Sequence, residues 1–198
     1  MSQPQTLLTM AGATRPTLEP DCSALLLIDM QREYVTGRLP LPDAAPALER
    51  ARYLLDRARE VGMAVVHVAH RGRPGGAFDP AADGFLFAPE VTPVPGERII
   101  EKGLPNAFAD TELDSYLKQR DIRQLLVIGF MTHMCVSSTV RAALDLGYIS
   151  HLASDACATR DLPAATGDGV ISARQLQASS LAGLADRFAW VDKSREWL

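Results

Sequence analysis

Short apolar runs alternate with amphipathic stretches along this chain, and that alternation restricts it to a parallel sheet covered by helices on both faces. The first run, residues 24–28 (Ala-Leu-Leu-Leu-Ile), carries no polar position and stops at Asp29, as a strand buried on both faces does. Residues 47–61 then set Leu48, Ala51, Leu54, Leu55 and Ala58 at helical spacing before Gly62. Further strands are expected at 64–69, 98–100, 124–129, 148–153 and 188–191, and further helices at 111–120, 135–146 and 173–186. The fold class is α/β, a three-layer α/β/α Rossmann-like domain with a mostly parallel sheet. Residues 1–20 hold Pro, Thr and Gly without periodicity and read as an irregular arm over the surface or over a neighbouring subunit. Residues 21–198 read as one domain, and the Gly- and Pro-rich stretch 71–96 as a functional or mobile loop.

Composition closes off several functions. With 47% apolar and 22% charged residues the chain is of ordinary globular make-up. A net charge of −4 without a basic cluster gives no general attraction for nucleic acid. No run approaches the roughly 18–20 apolar residues of a membrane span, and no basic-then-apolar leader opens the chain, so a cytoplasmic location without membrane contact is expected. The three cysteines, Cys22, Cys135 and Cys157, lack the CxxC spacing of zinc or redox pairs and are expected as free thiols.

Open α/β sheets bind ligands beyond the carboxyl ends of their strands, so the residues that end strands matter most. Asp29, Lys102 and Cys135 follow strands 1, 3 and 4. In a sheet of order 3-2-1-4-5, strands 1 and 4 are neighbours and the crevice lies between Asp29 and Cys135. Cys135 also falls near a helix start, where free N–H groups and the helix dipole favour a thiolate nucleophile. Asp29 suits a general base, and Lys102 a cation that keeps Asp29 ionised and stabilises negative charge on substrate. Singly, each has a plainer explanation: a small buried thiol, a turn-capping carboxylate, a solvated lysine. The three together change the balance.

Three segments carry a family resemblance: Leu26-Leu27-Ile28-Asp29-Met30-Gln31; Glu101-Lys102-Gly103 through Asn106-Ala107-Phe108; and Gly129-Phe130-Met131-Thr132-His133-Met134-Cys135-Val136, followed by Thr139, Ala142-Ala143 and Gly147-Tyr148. From about residue 20 to 192 the chain resembles the isochorismatase-like cysteine hydrolases. The resemblance implies a small-molecule substrate with a carbon–nitrogen bond (amide, ureido or carbamoyl), a thioester on Cys135, and no cofactor. It also implies a cis peptide between Phe130 and Met131, an oxyanion hole from the Met131 and Cys135 N–H groups, and a homo-oligomer, dimer or tetramer. Nicotinamidases of this family bind a metal through an Asp-x-His pair; none occurs here, so no metal is expected, His67 reads as a core histidine, and His70 as a pocket residue. Gln31, Tyr34, His70, Phe108, Thr132 and His133 are the expected substrate contacts, with Phe78, Phe85 and Phe87 as further wall or core residues, and Cys22 and Cys157 as inert thiols. Two other activities stay open at this point: vinyl-ether hydrolysis, which does not need the thiol, and non-catalytic binding on the same fold.

Overall fold

The apolar runs pair with one another, all in parallel. The computed structural model describes residues 3–197. Its strands are β1 (Ser23–Ile28), β2 (Ala64–His70), β3 (Arg98–Lys102), β4 (Gln124–Phe130), β5 (Ile149–Ala158), a two-residue hairpin of β6 (Leu162–Pro163) and β7 (Val170–Ile171), and β8 (Trp190–Asp192). The helices are α1 (Leu7–Met10), α2 (Ala44–Glu60), α3 (Leu113–Lys118), α4 (Ser137–Asp145) and α5 (Ala173–Arg187). The main sheet has six strands in the order β3-β2-β1-β4-β5-β8, so β1 and β4 lie side by side in its middle.

Strand alternation sorts side chains into two cores. Leu25 and Leu27 of β1 and Leu126, Ile128 and Phe130 of β4 face α2, whose Leu48, Ala51, Leu54, Leu55 and Ala58 are all buried there. Ala24, Leu26 and Ile28, with Leu125 and Val127, face the opposite layer, which holds Leu113 and Leu117 of α3, Val140 of α4 and Leu184 of α5. Both faces of the sheet are therefore covered, the condition under which uninterrupted apolar strands are stable.

The structure departs from the sequence reading at β5 and at the β6–β7 hairpin, and it settles details of the arm and of the 71–96 loop. β5 continues to Ala158, because the polar pair Ser154-Asp155 that interrupts its apolar pattern is used internally: Asp155 accepts hydrogen bonds from the Ser194 N–H and hydroxyl at 2.7 and 3.0 Å. The arm holds the short helix α1 and lies against its own chain, with Leu7 N–H on Asp186 and Arg15 paired to Asp192 at 2.9 Å each. The 71–96 loop is pinned down. Its Leu86 carbonyl accepts from Arg32 N–H, its Ala88 N–H donates to the Met30 carbonyl, and Phe87 bridges Gln31. His67, the expected core histidine, is fully buried with Nε2 2.8 Å from Glu97, which also holds Arg59.

One glycine decides how closely the two central strands meet at their carboxyl ends. Gly129, opposite Ile28, has φ +130°, and a Cβ there would lie 2.1 Å from the Ile28 carbonyl oxygen. The obstruction is backbone in the middle of the sheet and cannot swing away. Gly129→Ala is expected to cost about 3 kcal/mol or more, by combining a forbidden backbone angle with an overpacked contact. A denaturant melt within about 0.5 kcal/mol of the parent would show that the strands separate there without penalty.

Candidate active site

Register brings the strand-end residues together. Ile28 pairs with both Val68 and Gly129, and His70 pairs with Lys102, so the ends of β3, β2, β1 and β4 form one row. At the end of β1, Asp29 turns out of the strand with φ 50°, its N–H held by the Val68 carbonyl at 2.9 Å. A non-glycine residue in the left-handed region is uncommon and points to a constrained, functional position. After β4 the Phe130–Met131 peptide is cis, and the chain enters a π-type turn, Thr132–Val136, that runs on into α4. Met134 and Val136 N–H groups both close on the Met131 carbonyl, on either side of Cys135. The wide turn sets Cys135 at the head of the helix beside the end of β1.

Lys102 Nζ donates to Asp29 Oδ2 at 2.7 Å, and both side chains have no solvent exposure. The other carboxylate oxygen, Oδ1, is buried with no donor in good hydrogen-bond geometry, and the Cys135 thiol is the group that approaches the carboxylate on its free side. Cys135, 5% exposed, lies close enough to both charges for each to act on its ionisation. Burial raises the Asp29 carboxyl above its ordinary value, against the opposing pull of Lys102. Burial likewise pushes the Cys135 thiol up to about 12, with Asp29 adding to the rise and Lys102 working against it. Dehydration and the neighbouring carboxylate both favour the protonated thiol, which suits a site in which Asp29 acts as its base. Cys157, opposite Gly129 in β5, is also pushed up to about 12 by burial, against a hydrogen bond from the Gly129 backbone and with Asp155 adding to the rise.

The expected substrate contacts divide. Tyr34 is buried with its ring edge-on to Phe78 and Phe130, and burial followed by the charges of Asp29 and Cys135 raises its phenol, so it stays protonated beside them. His70 lies 3.3 Å from Lys102 Nζ, and burial and then Lys102 bring its imidazole down to about 4. His133, half-buried, is 2.5 Å from the Thr159 hydroxyl, and burial and Arg160 lower its pKa. Three others have their polar groups or rings engaged within the protein. Gln31 is fully buried; its amide donates to the His70 and Phe85 carbonyls and accepts from His70 N–H, so it clamps β2 to the loop. Thr132 is fully buried and donates to the Ala158 carbonyl, tying the turn to β5. Phe108 stacks on Tyr148, 5.7 Å between centroids, so its ring is engaged with the residue that precedes β5. Each answers a local packing or hydrogen-bonding demand that a linear motif does not reveal.

The residues do not fit the nicotinamidase-type metal. Glu97 takes His67, Lys102 takes His70, and among the described residues no group of three or more His, Cys, Asp or Glu is placed to share an ion. Sequence reading missed Arg160. It follows the true end of β5, its charge reaches Tyr34 and His133, and its Nε is buried without a partner. With β5 expected to end at 153, nothing marked Arg160 as a strand-end residue.

Comparison with known proteins places this geometry. The sequence model of the isochorismatase domain matches residues 23–196. The chain is 42% identical over 142 residues to streptothricin hydrolase of Streptomyces noursei, covering 72% of this chain and 51% of that enzyme, about half its length. It is 31% identical over 183 residues to ureidoacrylate amidohydrolase of Cronobacter turicensis, covering 74% of this chain and 79% of that one. The crystal structure of an isochorismatase from Pseudomonas putida superposes with a TM-score of 0.93 at 41% identity, covering 99% of this chain and all of the other.

A dry ion pair makes a stability prediction. Asp29→Asn strands an ammonium and Lys102→Met a carboxylate, each expected to cost about 3–5 kcal/mol, whereas Asp29→Asn with Lys102→Met should cost clearly less than the sum of the two. Denaturant melts of the three variants test this. Additive losses in the double variant would mean the two charges are not coupled.

Proposed function

The chain belongs to the isochorismatase family of hydrolases, and we propose that it cleaves a carbon–nitrogen bond of a small amide, ureido or carbamoyl compound with Cys135 as nucleophile. The observation that carries this reading is the buried Asp29 carboxylate, held on one side by Lys102 and in hydrogen-bonding reach of a Cys135 thiol whose protonated form burial favours. A protonated thiol is a poor nucleophile, and a raised carboxylate facing it is the base it needs.

The steps then follow. Asp29 takes the Cys135 proton as Sγ attacks the carbonyl carbon. The developing oxyanion is received by the Met131 and Cys135 N–H groups, and Lys102 offsets the negative charge gathered there. Asp29 gives its proton to the departing nitrogen as the C–N bond breaks, leaving a thioester. Water attacks the thioester with Asp29 again as base; the sulfur leaves and recovers the proton. Each proton transfer uses one carboxylate, and every step uses groups of this chain.

Tyr34, His70 and His133 line the approach in this reading. Arg160 supports a substrate that bears a second oxygen-rich group, such as a ureido acid, because its guanidinium has no acidic partner among the described residues. The amide and ureide activities named for relatives are consistent with the same class.

The test is a panel of small amides, ureido acids, nicotinamide and isochorismate, with ammonia, amine and pyruvate release measured on the parent and on Cys135→Ala. Ammonia or amine release is expected, greatest for compounds with a carboxylate, and should fall by at least about 10³-fold in the variant. Pyruvate release that persists without the thiol would move the assignment to vinyl-ether hydrolysis. Silence across the panel would favour a binding role.

A further inference from the structure

His70 ends β2 directly across from Lys102, and its surroundings settle half of its hydrogen bonding. Its Nδ1 lies 3.3 Å from Lys102 Nζ. An ammonium has N–H donors and no acceptor, so Nδ1 accepts, and the single proton of a neutral imidazole sits on Nε2. The residue is held in place at its backbone, and its ring is packed on one side. Gln31 grips the His70 backbone from both sides, taking its N–H at 2.8 Å and donating to its carbonyl at 3.1 Å, and Phe78 packs edge-on at 5.1 Å. No described residue partners Nε2. The side chain is half-buried, with Lys102 and its partner Asp29 behind it.

We propose that His70 is a tautomer-locked residue with two roles: Nδ1 steadies Lys102 against Asp29, and Nε2–H is a fixed donor to an oxygen acceptor of the substrate. The first role stands on its own geometry; the second rests on the hydrolytic reading above. A neutral imidazole beside an ammonium keeps its form through neutral pH, because protonating Nδ1 would set two cations against each other and remove the acceptor Lys102 uses. The donor therefore selects for chemistry. A carbonyl, ureido or carboxylate oxygen satisfies Nε2–H, whereas an ammonium or amide N–H presented there is refused. The same lock explains why the side chain cannot lend Nδ1 to a metal ion.

The first arm of the test needs no substrate. Nitrogen NMR of the parent protein with isotopically labelled histidine should show His70 with a bare Nδ1 and a protonated Nε2 throughout about pH 6 to 8, and the tautomers should mix in Lys102→Met. A protonated Nδ1, or a mixture in the parent, overturns the lock even if the panel finds activity. The second arm uses the compound turned over best in that panel. His70→Asn keeps an acceptor near Nδ1 but loses the outer donor, so KM should rise about 10-fold with kcat within about 3-fold. His70→Gln keeps a donor near Nε2 but abandons Lys102, so kcat should fall about 10-fold or more with KM little changed. Parental values in both variants, or the same loss in both parameters for both, would overturn the division of roles. If the panel is silent the hydrolytic reading fails, and the NMR arm still decides the lock.

Discussion

Two opposite charges with no solvent exposure, Asp29 and Lys102, are held 2.7 Å apart at the carboxyl end of the sheet, and the rest of the site is arranged around that pair. Taking either ion out of water alone costs several kcal/mol, so neither is placed without the other and without a fold that fixes their separation. The fold fixes it through register: β3 carries Lys102 beside His70, and β1 ends in the left-handed turn at Asp29. Gly129 permits the backbone of β4 to approach β1 closely enough to bring Cys135 into the same dry volume. Such a pair contributes little net stability; its worth is in the charge field it imposes on the thiol.

That field and the burial set the division of labour. Dehydration disfavours thiolate at Cys135 and the neighbouring carboxylate adds to it, while Lys102 works against both. The raised carboxyl of Asp29 moves in the direction that makes a stronger base. In the proposed reaction, proton transfer from sulfur to oxygen exchanges one buried charge for another within a constant net charge, so it requires no new burial of charge. Lys102 stays beside both states. Tyr34, kept neutral, adds a polar wall without adding a third charge.

Much of this was legible in the sequence, and for identifiable reasons. Leu25 to Ile28 and Leu125 to Ile128 are apolar at every position, and a doubly covered strand has no other way to look. Asp29, Lys102 and Cys135 were legible because each terminates or follows such a run. What stayed hidden depends on contacts distant in sequence. Gln31 follows the motif aspartate, yet its amide is used by His70, 39 residues away, and by Phe85, 54 residues away. Thr132 belongs to the motif but serves β5, and Phe108 turns to Tyr148. Arg160 was missed because Asp155, satisfied by Ser194, makes the second half of β5 look like loop. The degree of dehydration around Cys135 was also hidden, because position along a helix is visible in sequence while burial by distant segments is not.

The most direct measurement is the titration of Cys135 itself, followed by thiolate ultraviolet absorbance in a Cys22→Ala, Cys157→Ala background where it is the sole thiol. A thiol raised by burial and by Asp29 is protonated at neutral pH, and thiolate should appear only as pH rises well above the ordinary value of about 8.5. Replacing the carboxylate with Asp29→Asn should bring that midpoint down by removing its negative charge beside Lys102. A parent midpoint at or below the ordinary value, unmoved by Asp29→Asn, would mean the thiolate stands preformed and that Asp29 does not receive its proton.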